Sequence, residues 1–424
     1  MKRWKISQKL YVQILQKLYV QISQKLYVLI KKYYFLTFFS FCFFTKVNYM
    51  DEHEVHKIID LLSSEKKKSY DVHKKKVIES FISGIKKYGY NKPLIAPRKV
   101  TWDVTSRCNL SCRHCSNKEL SYGDDLSTES ILTILDQLHA FGIQHISFSG
   151  GEPLLREDLF SILQKAKELD IAVTLATNST LIDAPTASRL HTIGIDSIQT
   201  SIDGMGPTHD SFRGVPGCFE KACTGIENLV QEDLTVVVTT TVTTLNCSEI
   251  EQVMDLCVEM GVHAYVINDL IPVGSGRNLL SYRLTDEQYA QYAAYFKDIR
   301  EDLKGTLEIL WGGVGTFPDK KPDTDRVIIQ TRCLACFHRF NIASDGTVQP
   351  CNLLPLDAGN ILHESIEDIW TKSPVFVALR DRDALQGVCG TCCYRYSCGG
   401  CRARAYAISH DFLAEDPRCQ RWSQ

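Results

Sequence analysis

Between Arg98 and about Pro272 the sequence repeats one unit, a short β-branched or apolar run followed by an amphipathic helical stretch. The runs lie at Val100–Val104, His145–Phe148, Ala172–Ala176, Ser197–Ser201, Thr235–Val242 and Ala264–Leu270. Between them stand patterns such as ESILTILDQLHAFG, REDLFSILQKAKELD, DAPTASRLHTIG and SEIEQVMDLCVEMG. Several end in a glycine suited to close a helix. Strands alternating with helices run parallel. Six units are too few for a closed eight-fold barrel, so the pattern predicts an α/β fold with an open, partial (β/α)6 barrel. Chemistry in such sheets gathers beyond the C-terminal ends of the strands.

The second constraint is cysteine. The chain has 424 residues and 17 cysteines. Secreted disulfide scaffolds are usually far shorter, so the cysteines point to metal ligation in a reducing, cytoplasmic setting. A net charge of −2 argues against a general nucleic-acid binder. Three cysteines, Cys108, Cys112 and Cys115, stand on the loop after the first strand. Thiolates are the usual ligands of iron–sulfur clusters. Three ligands leave one iron of a cubane open, which a catalytic cluster needs. A zinc loop with a fourth ligand elsewhere is the alternative.

Residues 1–49 read as foreign to this enzyme-like chain. Gln8 to Ile30 carry an eight-residue repeat, an apolar run spans Tyr33 to Phe44, and no acidic residue occurs before Asp51. The run is short for a membrane span, and no small-residue cleavage site follows it. Translated upstream sequence, with the start at Met50, fits best; a signal peptide or anchor is the alternative. Residues 50–97 then form a helical lead-in, 98–277 the barrel, 278–332 a helical bridge, and 333–424 a cysteine-rich domain.

The CxxxCxxC loop resembles the signature of the radical S-adenosylmethionine (SAM) superfamily, with His114 where the family usually has another aromatic. The resemblance implies that SAM chelates the open iron and is reductively cleaved to a 5′-deoxyadenosyl radical, which abstracts hydrogen from a substrate. Gly150-Gly151-Glu152 after the second strand resembles the family's GGE motif, whose carbonyls and carboxylate face the methionyl ammonium. Asn178 stands where relatives approach the ribose, with Ser179 in place of their glycine. Ser201-x-Asp203-Gly and His209-Asp-x-x-Arg213 resemble the stretch in which Ser201 and Arg213 meet the SAM carboxylate. Asp203 is the candidate catalytic proton acceptor, with a turn cap as the bland reading. Pro272-x-Gly274-x-Gly276 resembles a turn that shapes the adenine pocket.

Nine cysteines crowd positions 333–419, and Asp345-Gly346 marks a hairpin among them. The array resembles the SPASM domain, an auxiliary-cluster module. Carried over residue by residue, Cys333, Cys336, Cys351 and Cys401 would hold one auxiliary cluster, of 4Fe–4S or 2Fe–2S type. Cys389, Cys392, Cys398 and Cys419 would hold a second 4Fe–4S cluster. The step from Cys398 to Cys401 is one residue short of the pattern, which leaves Cys392 and Cys393 as competing ligands. Paired zinc ribbons are the alternative. Cys218, Cys223, Cys247 and Cys257 read as ordinary cysteines.

Fully ligated clusters suit electron transfer, which fits a net oxidation. The resemblance implies an oxidoreductase fed by flavodoxin or ferredoxin. Architecture alone leans to a peptide or protein side chain as substrate. A tetrapyrrole, as in haem-pathway decarboxylases or haem d1 synthesis, stands close behind. An iron–sulfur scaffold or electron carrier without catalysis is the third reading. A chain begun at Met50 is expected to form 5′-deoxyadenosine at the full-length rate; activity confined to the longer, membrane-bound form would refute the upstream-sequence reading.

Overall fold

The computed structural model describes residues 97–118, 123–303, 305–312, 333, 335–392, 395 and 398–419. Residues 1–49, nearly all of the lead-in, and Cys393 lie outside them. No helix among the described residues is long and apolar enough to cross a membrane.

The six expected strands form: β1 (Lys99–Asp103), β2 (His145–Ser149), β3 (Ala172–Ala176), β4 (Ser197–Ser201), β5 (Val236–Val242) and β6 (Ala264–Asp269). The helices between them are α1 (Thr128–Phe141), α2 (Leu159–Glu168), α3 (Ala184–Ile193), α4 (Gly206–Arg213), α5 (Cys218–Gln231) and α6 (Ile250–Glu259). Local chemistry sets their ends. Ser127 caps α1 by accepting from Ser130 N at 3.2 Å, and Asp183 caps α3 by accepting from Thr186 N at 2.9 Å. Gly142 and Gly194 stop the same helices in the left-handed conformation.

The sheet is wider than expected. It has nine strands in the order β7-β6-β5-β4-β3-β2-β1-β8-β9. The segment read as a helical bridge holds α7 (Asp286–Asp302) and then β7 (Glu308–Gly312), which pairs parallel to β6. The cysteine-rich region supplies β8 (Arg339–Ile342), parallel to β1, and β9 (Val348–Gln349), antiparallel to β8. The expected hairpin therefore forms at Asp345-Gly346 and also lengthens the barrel sheet. Both edges of a six-stranded sheet would leave a row of backbone groups unpaired; β7 and β8 cover them.

Strand alternation divides the sheet into two faces. Val100, Trp102, Ile146, Phe148, Val173, Leu175, Ile198, Val236 and Val238 are buried outward, against Ile131, Ile134, Leu135 and Leu138 of α1 and Ile162 and Leu163 of α2. The inward face is polar. Lys99, Thr101, Asp103, Ser147, Gln199, Ser201, Thr241, Asn268 and Arg339 line a cavity of about 1280 Å³. A closed barrel packs its interior with branched side chains; this open one keeps a polar lumen.

A buried ion network joins the barrel to the cysteine-rich region. Asp269, at the end of β6, takes Arg404 Nη1 at 2.9 Å and Arg418 Nε and Nη2 at 3.1 Å. Arg404 also grips Asp416 through Nε at 2.7 Å and Nη2 at 2.9 Å. Arg418 Nη1 reaches Asp286 at 2.7 Å. The side chains of Asp269, Arg404 and Arg418 are at most 3% exposed, so each charge depends on its partners.

The strand ends converge on the Cys108–Cys115 loop by backbone hydrogen bonds. Gly151 N donates to Thr105 O and Glu152 N to Arg107 O, both at 2.8 Å. Ser111 N donates to Arg213 O at 2.9 Å, Arg113 N to Phe212 O at 2.8 Å, and Ser275 N to Cys115 O at 3.0 Å. Such close approach excludes side chains. A Cβ on Gly151 would collide with the Arg107 carbonyl, and one on Gly274 would lie 2.5 Å from the carbonyl oxygens of Cys115 and Ser116.

Two outcomes follow. Asp269→Ala leaves Arg404 with Asp416 and Arg418 with Asp286 as their remaining acidic partners and is expected to cost up to about 3–5 kcal/mol in denaturant unfolding; a loss within scatter would mean that the remaining partners and water replace the carboxylate. Gly151→Ala is expected to lower the iron held by the first loop while leaving the cysteine-rich region loaded, read by iron content and electron paramagnetic resonance.

Candidate active site

The loop after β1 carries Cys108, Cys112 and Cys115, all on the cavity wall. Cys112 and Cys115 lie close enough to oppose charge on Cys108, and Cys115 opposes charge on Cys112. Burial pushes the Cys108 thiol up to about 11. Burial raises Cys112 too, and the Arg213 guanidinium opposes that rise. Arg213 Nη1 donates to Cys112 Sγ at 3.7 Å, and its Nη2 lies 2.7 Å from Asp203 Oδ2. The start of the loop is tied down by Asp125, which accepts from Thr105 Oγ1 at 2.5 Å and Ser106 N at 2.8 Å.

The structure distributes the expected SAM-contacting residues unevenly. His114, Gly150, Gly151, Asn178, Ser201 and Arg213 reach the cavity. Glu152 does not: it is fully buried, and its carboxylate accepts from Leu154 N at 3.1 Å, Thr177 Oγ1 at 2.8 Å and Asn178 N at 2.8 Å. It fastens the end of β3 to the GGE turn. Asn178 Nδ2 donates to Asn109 Oδ1 at 2.8 Å, which fastens the cysteine loop as well. Ser179 takes φ +60°, the conformation that glycine favours, and its hydroxyl donates to Thr200 Oγ1 at 2.7 Å.

Asp203, expected as a proton acceptor, is enclosed instead. It is fully buried away from the cavity, and Oδ1 accepts from Thr241 N at 2.9 Å. Burial disfavours its charge, yet the Arg213 guanidinium, with His114 and His209, holds the carboxyl below the ordinary range. An ion-paired carboxylate of that kind is a poor proton acceptor; it orients Arg213. His114 Nε2 lies 3.5 Å from Asp203 Oδ2, and its ring packs against Phe212. Burial lowers His114 to about 4, so the imidazole is neutral at physiological pH.

A carboxyl that does line the cavity is Asp103, which the sequence motifs did not single out; the ion-paired Asp269 lines it as well. It is 3% exposed, and burial pushes its pKa up to about 6. Asn341 Nδ2 lies 3.4 Å from Oδ2, and Asn117 and Ser149 also stand within reach of the carboxyl. Lys99, Arg339 and Arg402 also line the cavity unanticipated. The alternation of β1, with Val100 and Trp102 facing the helices, is the signal that turns Lys99, Thr101 and Asp103 inward.

The same cavity extends to Cys333, Cys351 and Cys401. Cys336 is buried beside them, within electrostatic reach of Cys333 and Cys351, and Cys401 is within reach of Cys333. These four thiols therefore form one group. Cys389 and Cys398 meet around Gly400, whose N–H donates to Cys398 Sγ at 3.4 Å and where an added Cβ would lie 3.1 Å from Cys389 Sγ. Arg402 Nη2 donates to Cys389 Sγ at 3.6 Å. Cys392 ends the short helix Gly387–Thr391, and Cys419 N donates to Asp416 O at 3.1 Å. Of the cysteines read as ordinary, Cys257 is fully buried and Cys218 Sγ donates to Asp210 Oδ1 at 3.2 Å.

Among the described residues no three His, Cys, Asp or Glu side chains close around a single ion. Grouped thiols on a roomy cavity, with guanidinium groups against Cys112 and Cys389, fit iron–sulfur clusters.

Comparison with known proteins agrees with this donor set. The sequence profile of the Radical SAM superfamily matches residues 102–257, and that of an iron–sulfur cluster-binding domain, SPASM, matches residues 333–393. The chain is 35% identical over 339 residues to an AdoMet-dependent heme synthase of Methanosarcina barkeri, covering 76% of this chain and 96% of that protein. It is 28% identical to a PqqA peptide cyclase of Granulibacter bethesdensis, covering 76% and 87%. Its fold matches that of Streptococcus suis SuiB bound to S-adenosylmethionine with a TM-score of 0.66 at 18% identity, over 87% of each chain. With a parallel strand array around a cysteine-bearing loop, the chain belongs to the radical SAM superfamily and carries a C-terminal SPASM domain, enzymes whose cofactors are 4Fe–4S clusters and S-adenosylmethionine.

Proposed function

We propose that this enzyme oxidatively decarboxylates a propionate side chain of a tetrapyrrole. One observation carries the reading: a single cavity of about 1280 Å³ is walled by the Cys108–Cys115 loop and also by Cys333, Cys351 and Cys401. A substrate held there touches the hydrogen-abstracting end and an electron-accepting end together. Cationic side chains on the wall, including Lys99, Arg213, Arg339 and Arg402, suit a substrate with several carboxylates. The 35% identity to a heme synthase, against 28% to a peptide cyclase, supports a tetrapyrrole over the peptide side chain favoured by architecture alone.

In this reading Cys108, Cys112 and Cys115 hold the catalytic cluster. Cys333, Cys336, Cys351 and Cys401 hold the first auxiliary cluster, and Cys389, Cys392, Cys398 and Cys419 the second. When bound, the catalytic cluster and SAM supply a 5′-deoxyadenosyl radical, and the auxiliary clusters supply an electron acceptor. The net change removes a hydrogen atom, carbon dioxide and one electron from a propionate, leaving a vinyl group. Arg213, fixed by Asp203, offers its fork to the SAM carboxylate. The backbone carbonyls of the Gly150-Gly151 turn would take its ammonium, Ser201 would join Arg213 at the carboxylate, and Asn178 would stand near the ribose. Glu152 acts through the loops it fastens. Asp103 is the carboxyl placed to share a proton with the substrate.

The test is anaerobic incubation of the reconstituted full chain with SAM, dithionite and iron coproporphyrin III. The expected result is 5′-deoxyadenosine together with a vinyl-bearing porphyrin, both lost in Cys112→Ala, whose auxiliary clusters remain assembled. Deoxyadenosine without porphyrin conversion, and conversion of a peptide instead, would overturn the tetrapyrrole reading. No deoxyadenosine with any substrate, in chain that holds its iron, would favour the electron-carrier reading.

A further inference from the structure

The lumen below the cysteine loop holds an arrangement that the cluster chemistry leaves unused. Lys99 begins β1 and Arg339 begins β8, and the two are direct register partners on neighbouring parallel strands. Both line the cavity. Like charges placed side by side repel and destabilise a sheet. Burial, and after it the charge of Arg339, lowers the pKa of Lys99. Arg339 Nε is buried without a hydrogen-bond partner.

No acid among the described residues is ion-paired with either side chain. The inward-facing carboxyl of their own wall is Asp103, four residues along β1 from Lys99, about 13 Å at the usual strand rise. The neighbouring His145 is neutral at physiological pH: burial, with Lys99 behind it, lowers its pKa to about 4, and its Nε2 is engaged with Thr174 Oγ1 at 2.8 Å. Two adjacent cations facing the cavity, one with a buried and unmatched N–H, make a site complementary to an anion.

We propose that Lys99 and Arg339 form a carboxylate-binding pair that anchors the substrate's far side in the barrel lumen. Assignment of that carboxylate to a tetrapyrrole rests on the proposed function; the anion site itself does not. The pair lies about a strand's length from the loop where hydrogen is removed. One carboxylate side chain is held there while another part of the same molecule is presented at the radical site. This gives the pocket a register, since a substrate lacking the distal carboxylate loses its anchor without losing its reactive group.

Arg339 also lies within electrostatic reach of Cys351, so a role confined to that cysteine group is the rival account. Two measurements on the reconstituted full chain separate them. In the first, acetic anhydride labels lysines anaerobically, and acetylation of Lys99 is read by peptide mass spectrometry with and without succinate. Succinate is expected to slow labelling of Lys99 several-fold, to leave the exposed Lys221 unchanged, and to give no protection in Arg339→Gln. Equal labelling of Lys99 with and without succinate overturns the anion site. So does protection that survives in Arg339→Gln chain that has lost iron, because Arg339 then serves only the cysteines.

In the second, coproporphyrin III is titrated against wild type, Lys99→Met and Arg339→Gln. A roughly tenfold weaker affinity in each variant, the size of one lost charge-assisted contact, with unchanged iron content assigns the pair to a tetrapyrrole carboxylate. Unchanged affinity in both variants overturns that assignment while the tetrapyrrole reading stands. If wild type does not bind the porphyrin, the tetrapyrrole reading fails, and the succinate measurement decides the anion site alone.

Discussion

The structure depends on one constraint: a loop of eight residues must present three thiols in a fixed arrangement while leaving the space beside them open. The loop has no secondary structure of its own to do this. Its backbone is bonded instead to the turn after β2, to the end of α4 and to the turn after β6. Each contact is backbone to backbone, so the elements must come closer than side chains permit, and glycine stands at the contact points. Glu152 extends the same fastening to β3 with all its bonds made inside the protein. The turns that resemble SAM-binding motifs are thus also the frame of the cysteine loop.

A second consequence concerns charge. A closed barrel would fill its centre with branched side chains, but this sheet stays open and its inward positions are polar. The lumen joins the Cys108–Cys115 loop to Cys333, Cys351 and Cys401 without a partition. Around the auxiliary cysteines the buried groups are largely arginines. Arg402 donates to Cys389 Sγ, and Arg380 Nε donates to the Cys336 carbonyl at 2.7 Å. Arg382 stacks over Phe337, 4.7 Å from the ring centroid. Guanidinium groups are less strongly hydrated than ammonium groups and keep their charge when buried, which suits them to sites that carry thiolates. Asp269 and Asp416 balance Arg404 and Arg418 and lock this region onto β6 and α7.

The six central strands and the helices between them were legible because their signals are local: period-two and helical hydrophobic patterns, capping residues and closing glycines. The cysteine loop and its attendant turns were legible because short motifs fix both residue types and spacing. β7 was not, and the β8–β9 edge was legible only as a hairpin, without its place beside β1. β7 is five residues in a segment dominated by a helical pattern, and β8 gains its place by pairing with β1 across more than two hundred residues of sequence. Asp203 stood in a motif and Asp103 did not, yet burial and the Arg213 ion pair enclose the first while the second faces the cavity.

The sequence by itself pointed to the chemistry, since three thiols at one spacing and a distant crowd of cysteines match motifs whose residue types and spacings are local. It also determined the alternating strands and helices, because hydrophobic period is a property of neighbours along the chain. Only the tertiary structure decided that Asp103 lines the cavity while Asp203 does not, which thiols stand together, and that one polar cavity reaches both cysteine regions. Those outcomes depend on distances between residues remote in sequence and on which side of a strand the open lumen lies, and no local pattern encodes either.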